Sequence, residues 1–167
     1  MKAIVAVSEN WGIGFKGSLL FSIPEDMRRF KELTLNKAVV MGRKTLESLP
    51  GGKPLPNRVN IVLTGDKNYK PSGVTVCDSV SQTLDEIKKH PADDVFIIGG
   101  ERVYKEFLNY CDKVLITKIR AVKPADTFFP DLDKDKNWIK TWESEVKEYD
   151  GLEFTFSLYM REARSGD

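Results

Sequence analysis

Three short, almost wholly apolar runs constrain the fold most: residues 3–7, 38–41 and 95–98. Each is too short for a core helix and lacks the polar alternation of a half-exposed strand. Such runs read as strands buried on both faces of a sheet. Amphipathic segments separate them, and strands interleaved with helices predict an α/β layer architecture with a largely parallel sheet.

A helix is expected to start at Ser22-Ile23-Pro24-Glu25, with Ser22 as cap and Glu25 completing a capping box. It runs to about Leu35, with Ile23, Met27, Phe30 and Thr34 at helical spacing. Further helices are expected over 43–49, 81–89 and 101–108, and strands over 60–63, 74–77 and 113–119. Residues 153–160 alternate apolar with polar and read as a half-buried antiparallel strand. No linker divides the 167 residues, which are expected to form a single domain; residues 164–167 are polar and expected to fray.

Lys and Arg total 26 against 25 Asp and Glu, a formal net charge of +1. That balance argues against a nucleic-acid binder or a polybasic membrane tether. Cys77 and Cys111 are too few for a disulfide scaffold, and with one histidine, His90, no metal site is expected. The apolar run at the N-terminus is too short for a signal peptide or a spanning helix, so a reducing cytoplasm is expected.

Chemistry is expected at two strand–glycine–helix junctions, Met41-Gly42-Arg43-Lys44-Thr45 and Ile98-Gly99-Gly100-Glu101-Arg102. Glycine lets backbone approach a phosphate, and a helix start offers free N–H groups. Either junction alone reads more readily as a plain turn. Two on one sheet, one with Arg43-Lys44 after it, favour a dinucleotide with an extra phosphate. Asp26, beside Ile23 and Phe30, is either a solvated carboxylate complementing the helix dipole or a buried one with a raised pKa, suited to a cationic heterocycle.

Together these segments resemble the bacterial dihydrofolate reductase family. The resemblance rests on Val5-Ala6, Gly12-Ile13-Gly14, Ile23-Pro24-Glu25-Asp26, Phe30, Val40-Met41-Gly42-Arg43-Lys44-Thr45, Leu55-Pro56-Asn57-Arg58, Val95-Phe96-Ile97-Ile98-Gly99-Gly100 and Tyr104. Asp126-Thr127-Phe128-Phe129-Pro130 follows in the expected place. The resemblance runs from Lys2 to about Arg161. It implies a mixed, mostly parallel eight-stranded sheet with flanking helices and a C-terminal antiparallel strand pair. It also implies NADPH-dependent reduction of 7,8-dihydrofolate to 5,6,7,8-tetrahydrofolate; a monomer is expected because the sequence shows no surplus apolar stripe.

By the same resemblance, Asp26 is the catalytic carboxylate and Thr117 supports it. Val5 and Ile98 offer backbone to the pterin, with Ala6 and Tyr104 also at the substrate. Met27, Phe30, Leu49 and Leu55 wall the benzoyl ring, and Arg58 clamps the glutamate carboxylate. On the cofactor side lie Ala6, Ile13, Gly14, Gly17, Ser18 and Leu19 near the nicotinamide. The pyrophosphate and adenosine side takes Gly42, Arg43, Lys44, Thr45, Leu63, Thr64, Gly99, Gly100, Glu101, Arg102, Val103 and Tyr104. Arg43, Thr64, Lys44 and Arg102 are the implied 2′-phosphate ligands, and Gly99-Gly100 corresponds to a non-proline cis peptide. The chain departs from the family at Leu20-Phe21, where a Pro-Trp pair is usual. Two other readings are weaker: a pyrimidine reductase of riboflavin synthesis, which would lack the Asp26 and Arg58 pair, and a non-catalytic nucleotide-binding protein.

Overall fold

A computed structural model describes residues 1–162; the fraying expected at 164–167 lies outside them. The apolar runs form the centre of the sheet. Strand β1 (Lys2–Val7) pairs in parallel with β7 (Val95–Gly99) on one side and β8 (Lys113–Ile119) on the other. Beyond β7 come β4 (Ala38–Gly42), β5 (Val59–Leu63) and β6 (Thr75–Cys77), all parallel. Beyond β8 come β12 (Leu152–Arg161) and β10 (Trp138–Glu143), both antiparallel. The order β10-β12-β8-β1-β7-β4-β5-β6 is the expected mixed eight-stranded path. A short ninth strand, β11 (Lys147–Tyr149), pairs with β12.

Helices α1 (Pro24–Thr34), α2 (Arg43–Ser48), α3 (Val80–Ile87) and α4 (Glu101–Phe107) flank the sheet. Ala38, Val39, Val40 and Met41 are all buried, as a strand covered on both faces requires. Cys77 and Cys111 are free and buried.

One junction differs from expectation. Ser22 does not cap α1: the N-cap is Ile23, with no side-chain cap bond. Pro24 drives its predecessor out of the helical region, so Ile23 is extended (φ −117°, ψ 116°) and cannot be a first helical residue. Ser22 instead lies 3.5 Å from Met27 Sδ, and Glu25 pairs with Lys147 at 3.5 Å. In α3, Ser79 is the cap, accepting from the Gln82 N–H.

The segment after β1 makes a second, smaller sheet. Strands β2 (Gly12–Phe15), β3 (Ser18–Leu19) and β9 (Thr127–Phe128) pair in the order β3-β2-β9. Close approach explains the glycines here. A Cβ on Gly12 would sit 2.9 Å from Ser8 Oγ, and one on Gly14 would sit 2.8 Å from Thr127 Oγ1.

The main sheet is incomplete where it matters. Strand β1 stays paired with β8 through Val7↔Lys118, but its pairing with β7 ends at Ala3↔Ile97. Between β4 and β7 the register slips beyond Val40↔Ile97. A cleft therefore opens at the carboxyl ends of the central strands, where open α/β sheets bind ligands.

Candidate active site

Asp26 stands in the first turn of α1, pointing across the cleft mouth to β8. Thr117 is buried and donates its hydroxyl to Asp26 Oδ1 at 2.5 Å. Burial pushes the Asp26 carboxyl above its ordinary value; the Thr117 hydrogen bond and Arg29 oppose the rise, and Glu25 adds to it. The guanidinium of Arg29, not singled out by sequence, lies 4.4 Å from the Phe156 ring centroid.

A cavity of about 400 Å³ opens beside Asp26. It brings together the expected residues Ala6, Ile13, Leu19 and Met27, and adds Leu20, Phe21 and Ile23. Lys123 is a lining residue that sequence reasoning missed. Its Nζ donates to the Leu20 carbonyl at 3.0 Å and sits 4.7 Å from the Phe21 ring centroid. Leu19 is exposed at 80%, so the β2–β3 turn that carries Gly17 and Ser18 projects outward.

The expected benzoyl wall divides. Leu49, Leu55 and Ile98 join one apolar cluster, to which Leu33 of α1 belongs as well. Met27 is 58% exposed and faces the Asp26 cavity, while Phe30 is half-buried one turn later. Arg58 is held against the end of α1. Its Nε donates to Thr34 Oγ1 at 3.2 Å, Nη1 to the Pro56 carbonyl at 2.8 Å and Nη2 to the Lys31 carbonyl at 3.4 Å. The Thr34 hydroxyl donates in turn to the Phe30 carbonyl. The preceding loop is fastened by buried Asn60, which accepts from the Leu55 N–H and donates to the Leu55 and Arg58 carbonyls.

The two glycine junctions lie side by side. A Cβ on Gly42 would be 3.3 Å from Val103 Cγ2, one on Gly99 would be 3.3 Å from the Tyr104 ring, and one on Gly100 would be 3.6 Å from Thr45 Oγ1. Gly42 and Gly100 are the N-caps of α2 and α4, and neither helix start has a side-chain cap bond. The Gly99–Gly100 peptide is cis. The glycines let these elements pack closely, and two neighbouring helix starts without side-chain caps fit a pyrophosphate.

Tyr104 points away from solvent: it is buried, its hydroxyl donates to the Ile4 carbonyl at 2.7 Å, and its ring meets Phe129 edge-on at 5.0 Å. Burial raises its phenol pKa, so it is a neutral donor. Glu101 Oε2 accepts from the Phe128 N–H, which ties α4 to the small sheet. Arg102 is directed to Glu106 on its own helix. Arg43 follows Gly42, which pairs with Leu63, and is ion-paired to Asp66 and Glu47.

Comparison with known proteins decides the family. The sequence model of dihydrofolate reductase matches residues 1–161. The chain belongs to the dihydrofolate reductase family. It is 34% identical over 164 residues to dihydrofolate reductase of Bacillus subtilis, covering 97% of this chain and 95% of that one. With the enzyme of Schistosoma mansoni it shares 43% identity over 150 residues, 81% of each chain. Its structure resembles dihydrofolate reductase from Enterococcus faecalis complexed with NADP(H) and RAB-propyl. That likeness has a TM-score of 0.86 at 36% identity and covers 97% of this chain and 96% of that one.

Proposed function

We propose that Asp26, braced by Thr117, governs the proton in the reduction of 7,8-dihydrofolate to 5,6,7,8-tetrahydrofolate by NADPH, the reaction of this family. What carries the reading is a half-buried carboxylate with a raised pKa, at the wall of a cavity that also reaches Ala6 and Ile13. NADPH, when bound, supplies a hydride from nicotinamide C4 to pterin C6.

The chain's own residues do the rest. Asp26 holds the pterin's 2-amino group and N3 and promotes proton delivery to N5 through water. Val5 and Ile98, at the edges of the cleft, offer backbone hydrogen bonds to the ring. Met27, Phe30, Leu49 and Leu55 exclude water from the benzoyl group. Arg58, already oriented by Thr34, Pro56 and Lys31, receives the glutamate α-carboxylate. Ala6, Ile13, Gly14, Gly17, Ser18 and Leu19 border the nicotinamide. Gly42, Thr45, Gly99, Gly100 and Val103 form the phosphate cradle, and Arg43 with Thr64 meets the 2′-phosphate. One proton is consumed for each hydride, so substrate, NADPH and H⁺ give tetrahydrofolate and NADP⁺.

We also propose that the chain acts as a single domain and a monomer in a reducing cytoplasm. Two free buried thiols support the last point. Among the described residues, no helix is long and apolar enough to cross a membrane.

The test is direct. Protein mixed with NADPH and dihydrofolate should deplete the absorbance of the reduced nicotinamide, with tetrahydrofolate formed in equal amount. NADPH left unconsumed in the presence of dihydrofolate would overturn the reading.

A further inference from the structure

The charge around Arg43 is not arranged for a phosphate alone. Arg43 Nη1 lies 3.2 Å from Asp66 Oδ2, and Nε lies 3.5 Å from Glu47 Oε1. The Asp66 carboxylate is fixed by its own turn. Its Oδ1 accepts the Asn68 N–H at 3.0 Å, while its N–H donates to Thr64 Oγ1 at 3.2 Å. Thus the two groups read as 2′-phosphate ligands, Arg43 and Thr64, both contact the same acidic residue. A cavity of about 230 Å³ adjoins them, lined by Thr64, Asp66, Lys67, Tyr69 and Lys70 among others. Lys67 and Lys70 share that lining with Asp66 and Asp78, two cations against two carboxylates, and it is Asp66 that pairs with Arg43.

We propose that Asp66 is a specificity-determining residue that narrows this chain's preference for NADPH over NADH. The proposal rests on the reading of Arg43 and Thr64 as the 2′-phosphate site. A 2′-phosphate approaching Arg43 must share it with an anion a few ångströms away, and like charges at that range repel. A free ribose 2′-hydroxyl meets no such repulsion and can donate a hydrogen bond to the carboxylate, the role acidic residues play in NAD-selective dinucleotide folds. Asp66 therefore penalises the phosphorylated cofactor and tolerates the unphosphorylated one.

Fluorescence titration of NADPH and NADH against wild type and Asp66→Asn tests this. Asn keeps the turn acceptor and the side-chain shape but removes the charge. NADPH should bind about threefold to tenfold more tightly to the variant, NADH equally or more weakly, and the change should shrink as salt is raised. Asp66→Ser, which also keeps a turn oxygen, should move the affinity ratio in the same direction. A ratio that stays constant or falls in both variants overturns the proposal. Arg43→Ala separates it from its foundation. If that variant weakens NADPH much more than NADH while the Asp66 variants leave the ratio unchanged, only the role of Asp66 is wrong. Equal weakening of both cofactors by Arg43→Ala removes the phosphate site itself and the proposal with it.

Discussion

The Thr117 hydroxyl donates to Asp26 Oδ1 across 2.5 Å, joining the buried strand β8 to the first turn of α1. The bond fixes the carboxylate's direction and leaves its second oxygen for the cavity. A carboxylate so placed should matter to chemistry far more than to folding. Asp26→Asn is expected to fold and to bind NADPH, with dihydrofolate reduction at neutral pH lower by about 10²–10⁴-fold. Steady-state rates and cofactor titration check this; a variant within a few-fold of wild type would remove Asp26 from its role. In wild type the rate should fall as pH rises, because the proton becomes scarce.

The same residue sets a pH dependence of stability. Burial raises the Asp26 pKa above the ordinary 3.8, so charging it costs more in the folded chain than in the unfolded one. Its contribution is fully favourable below that ordinary value and is lost as pH rises through the raised one. Asp26→Asn cannot be charged, and its amide oxygen still accepts from Thr117. The variant's Tm should therefore exceed that of wild type at neutral pH, and the gap should close in acid. Thermal melts across that range would show a constant or reversed gap if the carboxyl were not shifted upward.

Arg58 should act on binding. A charge-assisted hydrogen bond contributes about 1.5–3 kcal/mol, so Arg58→Leu should raise the dihydrofolate KM more than it lowers kcat. Removing the glutamate from the substrate should mimic the effect in wild type and add little in the variant. Thr34→Val, which removes the acceptor for Arg58 Nε, should raise KM by a smaller factor, since the Pro56 and Lys31 carbonyls remain. Independent, additive losses from substrate and Arg58 changes would show that the two do not meet.

Phe21 stands where the family resemblance implies a tryptophan, and it gives the cavity no N–H donor. Phe21→Trp is expected to tighten folate or methotrexate binding by about 0.5–1.5 kcal/mol through one added hydrogen bond. Lys123 above the ring favours the larger indole, the best aromatic partner for a cation. Overpacking is the opposing effect, typically about 1–3 kcal/mol. Titration of both proteins decides between them: unchanged or weaker binding would mean that the pocket is shaped to Phe21.

How much of this was legible follows from the physics of each element. The strands around Val40 and Ile97 were readable because burial on both faces leaves an uninterrupted apolar run. Asp26, Arg58 and the paired glycines stood out because their order and spacing resemble those of the dihydrofolate reductase family. The small sheet was not, since β3 and β9 have two residues each and β9 meets β2 more than 100 positions away. Strands β10 and β11 are largely exposed, and the apolar residues of β10, Trp138, Ile139 and Trp142, do not alternate, so hydropathy gives them no signature. Lys123 escaped notice because its partners, Leu20 and Phe21, are distant in sequence. Ser22 has the chemistry of a cap, but the restriction that Pro24 puts on Ile23 sets the helix start one residue later. The Asp66 pairing of Arg43 was invisible for the same reason as Lys123: charge neighbours across a loop follow no period.

The early end of the β1–β7 pairing makes the centre of the molecule a seam. Two rungs, Lys2↔Phe96 and Ala3↔Ile97, hold one half of the sheet to the other there. The flat ring proposed to lodge between Val5 and Ile98 would act as a splint across that seam, supplying the rungs that the strands leave out. Occupancy and rigidity are then one quantity: each ligand that spans the gap slows the parting of the halves, and tight binding raises the melting temperature with ligand concentration. Amide hydrogens of β1 and β7 should record this, exchanging more slowly on both banks of the cleft whenever it is filled.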